Sequence, residues 1–504
     1  MKFELVETTI DHVHAAYRSG ELTCRQLVEM YLERIAEHDQ MGVNLNAIIS
    51  INPNVFEQAD LLDSAFQTDG FVGPLHGIPV IVKDQMDVTP MATTLGSLLF
   101  KDHYPAADAF VIEKLRKAGA VILAKATLAE LAAGDTHGSL FGSTRNPYDL
   151  ERTPGGSSGG PAVSVTANFC TVAIGQEGYA SICRPSSWNC VVGMRPTSGL
   201  VSRNGVYGGW PALNGSLGPM ARNVKDLAKL LDVMAGFDPE DPATALGSFL
   251  ENDSYADGLS EDGLRGARIG VIRESIGHCS EPESEDFLQI DDLFSQALDD
   301  LAKAGAVLID PLIIPNLKIS LGKRASSFED DNAGFERYMS RSNNPPFRTR
   351  QEVLDSPDFE LVMARAKNQW RNKPSEQDHY ASLRARESLL ISTLNLIKSK
   401  NLDAIVIKSV EHQPTLIEEG LKPPYINHKG AHHIATFLSF VPSIIVPMGF
   451  TPNGMPAGIT FLSRPYAEKT IIGLAYAFEA QTQHRNPPPN LGIREWRRID
   501  RKED

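Results

Sequence analysis

The strongest constraint on the fold is a series of short apolar segments, rich in β-branched residues, that alternate with helical patterns along the chain. The run at 78–82 is one of these segments, and a second at 121–123 follows a helical pattern that Gly119 closes. Such runs are typical of strands that are buried on both faces of a sheet. Further strands are expected at 171–174, 269–272, 307–309, 404–407, 443–446 and 458–461.

Helical patterns fill the segments between these runs. Thr23 and Gln26 fit a capping box, and apolar residues follow at helical spacing. A further helical pattern covers 290–301 and leads into the run at 307–309. Helix and strand that alternate in this way predict an α/β fold with a large mixed sheet. We expect helices to cover both faces of that sheet.

The domain organisation is predicted to be simple, because no stretch rich in proline, glycine or serine separates independent units. We expect one domain over 1–504, and we divide it into an N-terminal helical part, a catalytic core, a variable helical excursion and a C-terminal return to the sheet. These parts cover 1–70, 71–320, 321–400 and 401–504. The stretch 322–374 is polar and dotted with aromatic residues. It either shapes a site or forms a solvated helical insertion.

Charge and cysteine content narrow the function classes. The formal net charge is −15, and a negative surface repels phosphate backbones, so nucleic acid is not expected as a partner. The five cysteines are too few and too scattered for a disulfide framework, and no Cys-x-x-Cys pair is present, which disfavours a zinc ribbon. No signal peptide and no apolar run of membrane-spanning length is visible. We therefore expect a cytoplasmic protein.

Lys83 is the first candidate functional residue. It follows the predicted strand at 78–82 directly. A lysine at this place can simply be the first solvated residue after a strand. Alternatively, burial there lowers the pKa of the ammonium group, so that a neutral Lys83 acts as a base.

Two serine-containing loops are the other candidates. Residues 154–160 hold four glycines around Ser157 and Ser158 and match G-x-S-x-G. A nucleophile elbow needs a strand just before the turn, and 149–154 does not look like one. Ser181 lies in a loop after the predicted strand at 171–174, at a strand end where α/β sites usually lie.

Taken together, these segments resemble the amidase signature family. Lys83 within 73–84, the glycine-serine turn and Ser181 follow the family order. Smaller motifs also agree with the family; they are Thr93-Thr94-x-Gly96-Ser97, Asn146-Pro147-Tyr148, Pro442-Ser443-Ile444, Pro447-x-Gly449, Gly454-Met455-Pro456-x-Gly458, Arg464-Pro465 and Glu468. The resemblance covers nearly the whole chain and is weakest between 239 and 401.

The resemblance implies the amidase-signature fold and a Ser-Ser-Lys triad. Ser181 is then the nucleophile, Ser157 the bridging serine beside a cis peptide bond, and Lys83 the base that acts through Ser157. Ser158 is expected to hydrogen-bond Lys83 and to fix its position. The backbone N–H groups of 178–181, namely Gly178, Tyr179, Ala180 and Ser181, are expected to form the oxyanion hole.

The implied activity is that of an amidohydrolase that works through a serine acyl-enzyme. It would cleave a carbon–nitrogen bond other than a peptide bond in a small amide, or a related carbamate or ester. A serine hydroxyl is a poor nucleophile until a base takes its proton, and Lys83 supplies that base without a histidine. A homodimer is implied only by analogy to the family.

The loop before Ser181 departs from the family pattern. Gln176-Glu177-Gly178-Tyr179-Ala180-Ser181-Ile182-Cys183 stands where Thr-Asp-Thr-Gly-Gly-Ser-Ile-Arg is usual. Tyr179 is expected to narrow the pocket or to stack on the substrate, and Tyr179 and Cys183 are candidate substrate contacts. Backbone donors survive this change unless the positions demand positive φ, which Tyr179 and Ala180 would resist.

Three other functions stay open on the sequence. One is an amidotransferase component similar to the A subunit of the glutamyl-tRNA(Gln) enzyme, and another is an acyl-transferring amide synthase. A binding protein without activity is disfavoured because all three triad residues are present. No cofactor is expected, and no metal, because the spacing of His428, His432 and His433 is not specific for a metal site. Pocket-forming segments are expected at 322–370 and 425–440, although their residues do not identify a substrate.

Overall fold

A computed structural model describes residues 3–208, 215–249, 254–489 and 491. Its strands are β1 (Ile48–Ile51), β2 (Pro79–Lys83), β3 (Val121–Ala126), β4 (His137–Gly138), β5 (Gly142–Ser143), β6 (Val172–Glu177), β7 (Val192–Arg195), β8 (Ser216–Ala221), β9 (Arg268–Val271), β10 (Val307–Ile309), β11 (Ala404–Lys408), β12 (Ser443–Phe450) and β13 (Pro456–Leu462).

Its α-helices are α1 (Ile10–Ser19), α2 (Cys24–Ile35), α3 (Val55–Asp69), α4 (Phe110–Lys117), α5 (Gly159–Thr166), α6 (Cys183–Trp188), α7 (Val224–Met234), α8 (Glu285–Lys303), α9 (Leu317–Leu321), α10 (Phe328–Met339), α11 (Arg350–Asp355), α12 (Ala364–Arg371), α13 (Glu376–Ser399), α14 (Ile417–Leu421), α15 (Ile434–Leu438) and α16 (Glu468–Thr482). Short 3₁₀ segments are Leu98–Phe100, Glu130–Ala132, Pro242–Leu246 and Pro357–Leu361, and Ala36–Gln40 is a π-helical turn.

Eleven of these strands form one mixed sheet in the order β1-β3-β2-β6-β8-β7-β12-β13-β11-β9-β10, and β4 and β5 form a separate hairpin. β2 pairs in parallel with β3 and β6, and β9 pairs in parallel with β10 and β11. The other neighbours in the sheet are antiparallel. Every residue of β2, β3, β6 and β11 is buried, so both faces are covered there. The predicted α/β fold with a large mixed sheet is confirmed.

All eight predicted strands are present, with ends that differ by at most a few residues. The capping box at Thr23 and Gln26 also forms, at the start of α2. Three strands of the large sheet, β1, β7 and β8, were not predicted. No helix among the described residues has the length and apolar character needed to cross a membrane. The division of the chain into one domain with four parts stays a prediction.

The excursion at 322–374 packs on the core and borders the candidate site. Its helices α10 and α12 contribute Phe335, Tyr338 and Trp370 to an apolar cluster that includes Leu95 and Tyr207 of the core. The Tyr338 hydroxyl also donates a hydrogen bond of 2.7 Å to the Asp87 carboxylate. The interpretation as a solvated insertion is therefore wrong.

A buried ion pair supports the end of β2. Lys125 Nζ on β3 lies 2.7 Å from Asp84 Oδ1, and neither side chain is exposed. The Asp84 carboxylate also accepts hydrogen bonds from the hydroxyl and the backbone N–H of Thr94. Because Asp84 follows Lys83 directly, this network fixes the strand end from which Lys83 extends.

Replacing Lys125 with methionine is expected to lower the free energy of unfolding by about 3–5 kcal/mol, because it leaves the Asp84 carboxylate buried without its partner. Urea denaturation of wild type and Lys125→Met measures the difference. Lys101→Met is the matched control, because the Lys101 side chain is 58% exposed and its loss should change stability little. Equal stability of Lys125→Met and wild type would show that the pair does not stabilise the fold.

Candidate active site

Lys83 is the last residue of β2, and its side chain is fully buried. Its Nζ lies 2.6 Å from Ser157 Oγ and 3.2 Å from the carbonyl oxygen of Gln176. Burial lowers the pKa of the Lys83 ammonium group well below its ordinary value, and the charge of Glu177 opposes this shift only in part. Since desolvation disfavours the charged form, the surroundings of Lys83 favour a neutral amine that can accept a proton.

The glycine-serine turn leads into α5, and its Gly156–Ser157 peptide bond is cis. Gly156 must be a glycine because a Cβ there would lie 2.5 Å from the carbonyl oxygen of Gly134. No strand precedes the turn, since 149–154 form turns and isolated bridges. The nucleophile-elbow interpretation of Ser157 therefore does not apply.

Ser158 supports the turn in a way that differs from the prediction. Its hydroxyl donates to the Gln176 carbonyl at 3.1 Å and lies 3.2 Å from the Gln176 nitrogen. Within the described structure it makes no hydrogen bond to Lys83, so the predicted direct contact is wrong. The hydroxyl is instead hydrogen-bonded to the backbone of Gln176 on β6. Lys83 donates to the same carbonyl, and Ser158 therefore fixes an acceptor of Lys83.

Ser181 lies in the loop between β6 and α6, borders a cavity and is 6% exposed. Its carbonyl accepts a hydrogen bond of 3.1 Å from the Ser158 N–H, which joins the two serine-containing loops. Its hydroxyl makes no hydrogen bond to Ser157 in the part of the chain described here. In enzymes without substrate, such catalytic contacts are often long and shorten only in the complex.

The backbone carbonyls of the Ser181 loop are held by side chains of other segments. The Arg324 guanidinium donates to the Gly178 carbonyl at 2.6 Å, and the Thr436 hydroxyl donates to the Tyr179 carbonyl at 2.7 Å. The N–H groups of 178–181, by contrast, have no acceptor among the described residues. Such N–H groups beside a serine can stabilise an oxyanion.

A buried carboxylate holds the C-terminal side of this loop. Glu177 accepts hydrogen bonds of 2.8 Å from the N–H groups of both Ile182 and Cys183. Burial raises the pKa of the Glu177 carboxyl, and these two N–H groups oppose the rise. Tyr179 and Ala180 both have negative φ, so the loop does not require glycine at either position.

Tyr179 forms part of the cavity wall. Its ring stacks on His433 with centroids 4.5 Å apart and also contacts His428 at 5.3 Å. The Arg324 guanidinium carbon lies 4.8 Å from the Tyr179 ring centroid. The tyrosine thus narrows the cavity as part of a packed aromatic and cationic cluster, and whether it stacks on a substrate stays a prediction.

Replacing Tyr179 with glycine is expected to change the substrate profile, because it removes a ring from the cavity wall. We expect kcat/KM to rise for bulky amides relative to small ones, measured on a graded series of acyl groups. Tyr179→Phe is the matched control, since it keeps the ring and removes only a hydroxyl that makes no hydrogen bond among the described residues. An unchanged profile for Tyr179→Gly would exclude Tyr179 as a specificity residue.

Cys183 is not part of the cavity wall, so its prediction as a substrate contact is wrong. It is the first residue of α6, and its side chain is directed into the protein interior. Its sulfur lies 3.5 Å from the Ser409 carbonyl oxygen and 3.6 Å from the Thr460 hydroxyl. Burial raises the pKa of this thiol, which makes Cys183 a small buried residue and not a reactive thiol.

Arg184 is a structural residue of the site that the sequence left unassigned. It is fully buried, forms an ion pair of 2.8 Å with Asp135, and donates a hydrogen bond of 2.6 Å to the Gly156 carbonyl. A further nitrogen contacts His428 Nδ1. The arginine one place after Cys183 therefore anchors the glycine-serine turn from the nucleophile side.

The three histidines of the C-terminal segment point to separate partners. His432 Nε2 lies 2.9 Å from the Lys408 carbonyl oxygen, and His433 Nε2 lies 3.2 Å from that of Leu321. His428 contacts Arg184. No group of three or more histidine, cysteine or acidic side chains with metal-binding geometry occurs within the described ranges.

The cavity that Ser181 borders has a volume of about 760 Å³. Part of the wall comes from the core, and another part comes from the excursion, including Arg324 and Trp370. The prediction that 322–370 helps to form the pocket is confirmed. The second predicted segment, 425–440, contributes His428 to the cavity wall. The sequence did not single out Arg324 as a functional residue. The only sign of its role was its position in a segment predicted to form a pocket.

Comparisons with known proteins show which proteins this chain is similar to. The family model described as Amidase matches residues 26–472. A probable amidase of Arabidopsis thaliana is 32% identical over 96% of this chain and 92% of its own length. The A subunit of the Methanosarcina mazei glutamyl-tRNA(Gln) amidotransferase is 32% identical over 94% and 96% of the two chains. The structure of native peptide amidase from Stenotrophomonas maltophilia superposes with a TM-score of 0.84 at 32% identity and covers 96% of this chain and 98% of that one.

Proposed function

The chain belongs to the amidase family of hydrolases that act on carbon–nitrogen bonds, and from this premise we propose that Ser181, Ser157 and Lys83 are its catalytic residues. The observation that carries the proposal is the distance of 2.6 Å between Lys83 Nζ and Ser157 Oγ in a fully buried setting. A lysine with a lowered pKa and a hydroxyl partner, beside a serine that borders a cavity, is the arrangement that nucleophilic catalysis needs.

The first half-reaction uses the two serines and the lysine as a relay. Ser181 Oγ attacks the carbonyl carbon of the amide and gives its proton to Ser157 Oγ, while Ser157 gives its own proton to the neutral Lys83 amine. The N–H groups of 178–181 stabilise the negative charge that develops on the carbonyl oxygen. The relay then runs in reverse and protonates the leaving nitrogen, so that the C–N bond breaks and an ester of Ser181 remains.

The second half-reaction consumes water. Lys83, again neutral, accepts a proton through Ser157 from a water molecule that attacks the Ser181 ester. The second tetrahedral intermediate uses the same backbone donors, and its collapse returns the proton to Ser181. The sum is amide plus water to carboxylic acid plus amine or ammonia.

We propose that the scissile bond is a carbon–nitrogen bond other than a peptide bond. A cavity of about 760 Å³ suits a small molecule better than a folded polypeptide. The similarity to a peptide amidase makes peptide amides the first substrates to test. Ester cleavage is expected as a side activity, because an alkoxide is easier to expel than the unprotonated nitrogen of an amide.

The experiment that tests this function is hydrolysis by the purified chain with no other protein present. The panel holds aryl amides, carbamates, terminal peptide amides and esters, and the products are separated by liquid chromatography. Release of acid and amine in equal amounts supports the proposal. Cleavage of no member of the panel would contradict it.

A second candidate function is that of an amidotransferase component, favoured by the 32% identity with the A subunit from Methanosarcina mazei. Such a protein would act on glutamine together with partner proteins, whereas an amidase acts alone. Activity of the isolated chain therefore separates the two. Addition of amines such as hydroxylamine tests the third possibility, acyl transfer, because an amide synthase would yield the amide of the added amine in place of the acid.

We also propose that the protein works in the cytoplasm. All five cysteines are free, and four of them are buried, which suits a reducing compartment. Fractionation of cells that express a tagged chain tests this placement.

A further inference from the structure

The charged side chains of the cavity differ from those of the whole chain. The protein has a net charge of −15, yet the cavity wall carries more basic than acidic side chains. The basic ones are Lys323, Arg324, Arg350 and Arg365, and the acidic ones are Asp331 and Asp378. In a protein with excess negative charge, a local excess of basic side chains requires an explanation.

Most of these charges already have partners. Arg350 donates to the Trp370 carbonyl at 3.2 Å and lies 4.0 Å from Asp331, whose pKa burial raises to about 6. Asp378 accepts a hydrogen bond of 2.7 Å from the Ser375 hydroxyl at the start of α13. Arg324 uses one nitrogen to hold the Gly178 carbonyl.

Lys323 and Arg365 are different, because neither charged group has a hydrogen-bond or ion-pair partner among the described residues. Of these two, only Arg365 carries the planar guanidinium fork. It is the second residue of α12 and is exposed at the cavity. The start of α12 is itself fixed, since the Met363 N–H donates to the Glu130 carboxylate at 2.7 Å. The five N–H donors of this guanidinium group thus lie at the cavity wall on a positioned element.

The stem of Arg365 packs close to the candidate catalytic residues. A Cβ on Gly134 would lie 2.9 Å from Arg365 Cγ, and the Gly134 carbonyl is the group that packs against Gly156. Burial raises the pKa of Tyr179, and the charges of Arg324, Arg184 and Arg365 oppose that rise. Arg365 therefore acts on the same part of the cavity as the nucleophile loop.

The neighbouring histidines supply no counter-charge to Arg365. His428 is half-buried near Arg365, and loss of solvent together with the nearby arginines lowers the pKa of His428 well below its ordinary value. The pKa of His278 is also lowered, by partial burial and by the charges of Arg365 and Arg184. Both histidines are therefore neutral at pH 7, and neither is an anion.

We propose that the substrate is an amide that carries a carboxylate, and that Arg365 binds this carboxylate. The proposal rests on the function proposed above, because it assigns a substrate class to the same cavity. The planar guanidinium fork matches a carboxylate in two parallel hydrogen bonds. The positive cavity in a negative protein also attracts anions selectively.

The test compares substrates that differ only in the charged group. For a carboxylate on the acyl half, succinamic acid and its longer homologues are compared with the matching methyl ketones and with the matching ω-amino amides. For a carboxylate on the amine half, 4-acetamidobenzoate is compared with 4-acetamidoacetophenone. We expect wild type to favour the carboxylate member of at least one series by about 10- to 100-fold in kcat/KM, mainly through KM. The preference should fall as ionic strength rises.

Arg365→Gln is expected to reduce this preference about tenfold or more, and Arg365→Glu to shift it toward the ammonium substrates. Arg371→Gln is the matched control, because Arg371 lies on the same helix, pairs with Glu360 and is outside the cavity wall. It should leave the preference unchanged.

A second measurement, protection of Ser181 from labelling, extends the test to substrates that are cleaved too slowly for a rate comparison. Carboxylate amides should protect Ser181 from labelling by a fluorophosphonate at lower concentration than the ketones do, and Arg365→Gln should remove this difference. Equal rates and equal protection for charged and uncharged members in both series would overturn the carboxylate proposal. Hydrolysis of the uncharged members would still uphold the proposed function. Absence of both hydrolysis and labelling would instead overturn the proposed function, and the carboxylate proposal with it.

Discussion

Ser181→Ala is expected to lower kcat/KM for amide hydrolysis by about 10⁴-fold or more, the loss that removal of the nucleophile causes in other serine hydrolases. The backbone N–H groups of 178–181 stay in place in this variant. Any residual rate would therefore come from binding and from oxyanion stabilisation alone.

The measurement is the steady-state rate of the purified variant on the best substrate of the panel. Ser186→Ala is the matched control: Ser186 is a buried serine on the adjacent helix α6, and its hydroxyl has no hydrogen-bond partner among the described residues. It should retain nearly full activity. If Ser181→Ala kept a rate within about tenfold of wild type, another residue would be the nucleophile.

Lys83→Met is the second large effect, and we expect it to lower kcat by about 10³-fold, within the range that a positioned general base contributes. Methionine fills a similar volume but offers no lone pair to Ser157. The loss should appear in kcat more than in KM, because Lys83 borders Ser157 and is not part of the cavity wall.

The pH dependence tests the same residue. The active form of Lys83 is neutral, so kcat/KM should rise with pH through the pKa of Lys83 and level off above it. Burial lowers that pKa well below 10.5, and the plateau should therefore be reached at a pH well below the ordinary lysine value. The residual kcat/KM of Lys83→Met should lack this rising limb of the pH profile.

Lys114→Met provides the control for Lys83. Burial also lowers the pKa of Lys114, but this lysine lies on α4, donates to the Ala235 carbonyl and is outside the cavity wall. Its replacement should leave both the rate and the pH profile unchanged. A rising limb that persists in Lys83→Met would contradict the assignment of Lys83 as the base.

The sequence was informative wherever a local pattern determines structure. The apolar run that becomes β2 and the run that becomes β11 are buried on both faces, and composition alone predicts such strands. β7 and β8 were missed because glycines and a proline interrupt them, at Gly193, Gly218 and Pro219. Those glycines reflect tertiary packing, since a Cβ on Gly218 would collide with the Met194 carbonyl of the neighbouring strand.

In the candidate site, too, local motifs could be read from the sequence and tertiary packing could not. Lys83, Ser157 and Ser181 were identified because their motifs follow one another in a fixed order along the chain. The direction of a side chain depends on packing that no motif encodes: Cys183 points into the interior and Ser158 binds the backbone of Gln176. Arg324 and Arg365 come from the excursion, where the sequence resembles the family least, and only the fold brings them to the cavity.

Covalent labelling is the sharpest test of whether a neutral Lys83 activates Ser181 through Ser157. Intact-protein mass spectrometry follows the adduct of a fluorophosphonate probe on wild type, Ser181→Ala, Ser157→Ala and Lys83→Met. We expect one adduct on wild type, none on Ser181→Ala, and slower labelling of the other two variants. An adduct of undiminished rate on Ser181→Ala, or no adduct on wild type, would contradict this activation.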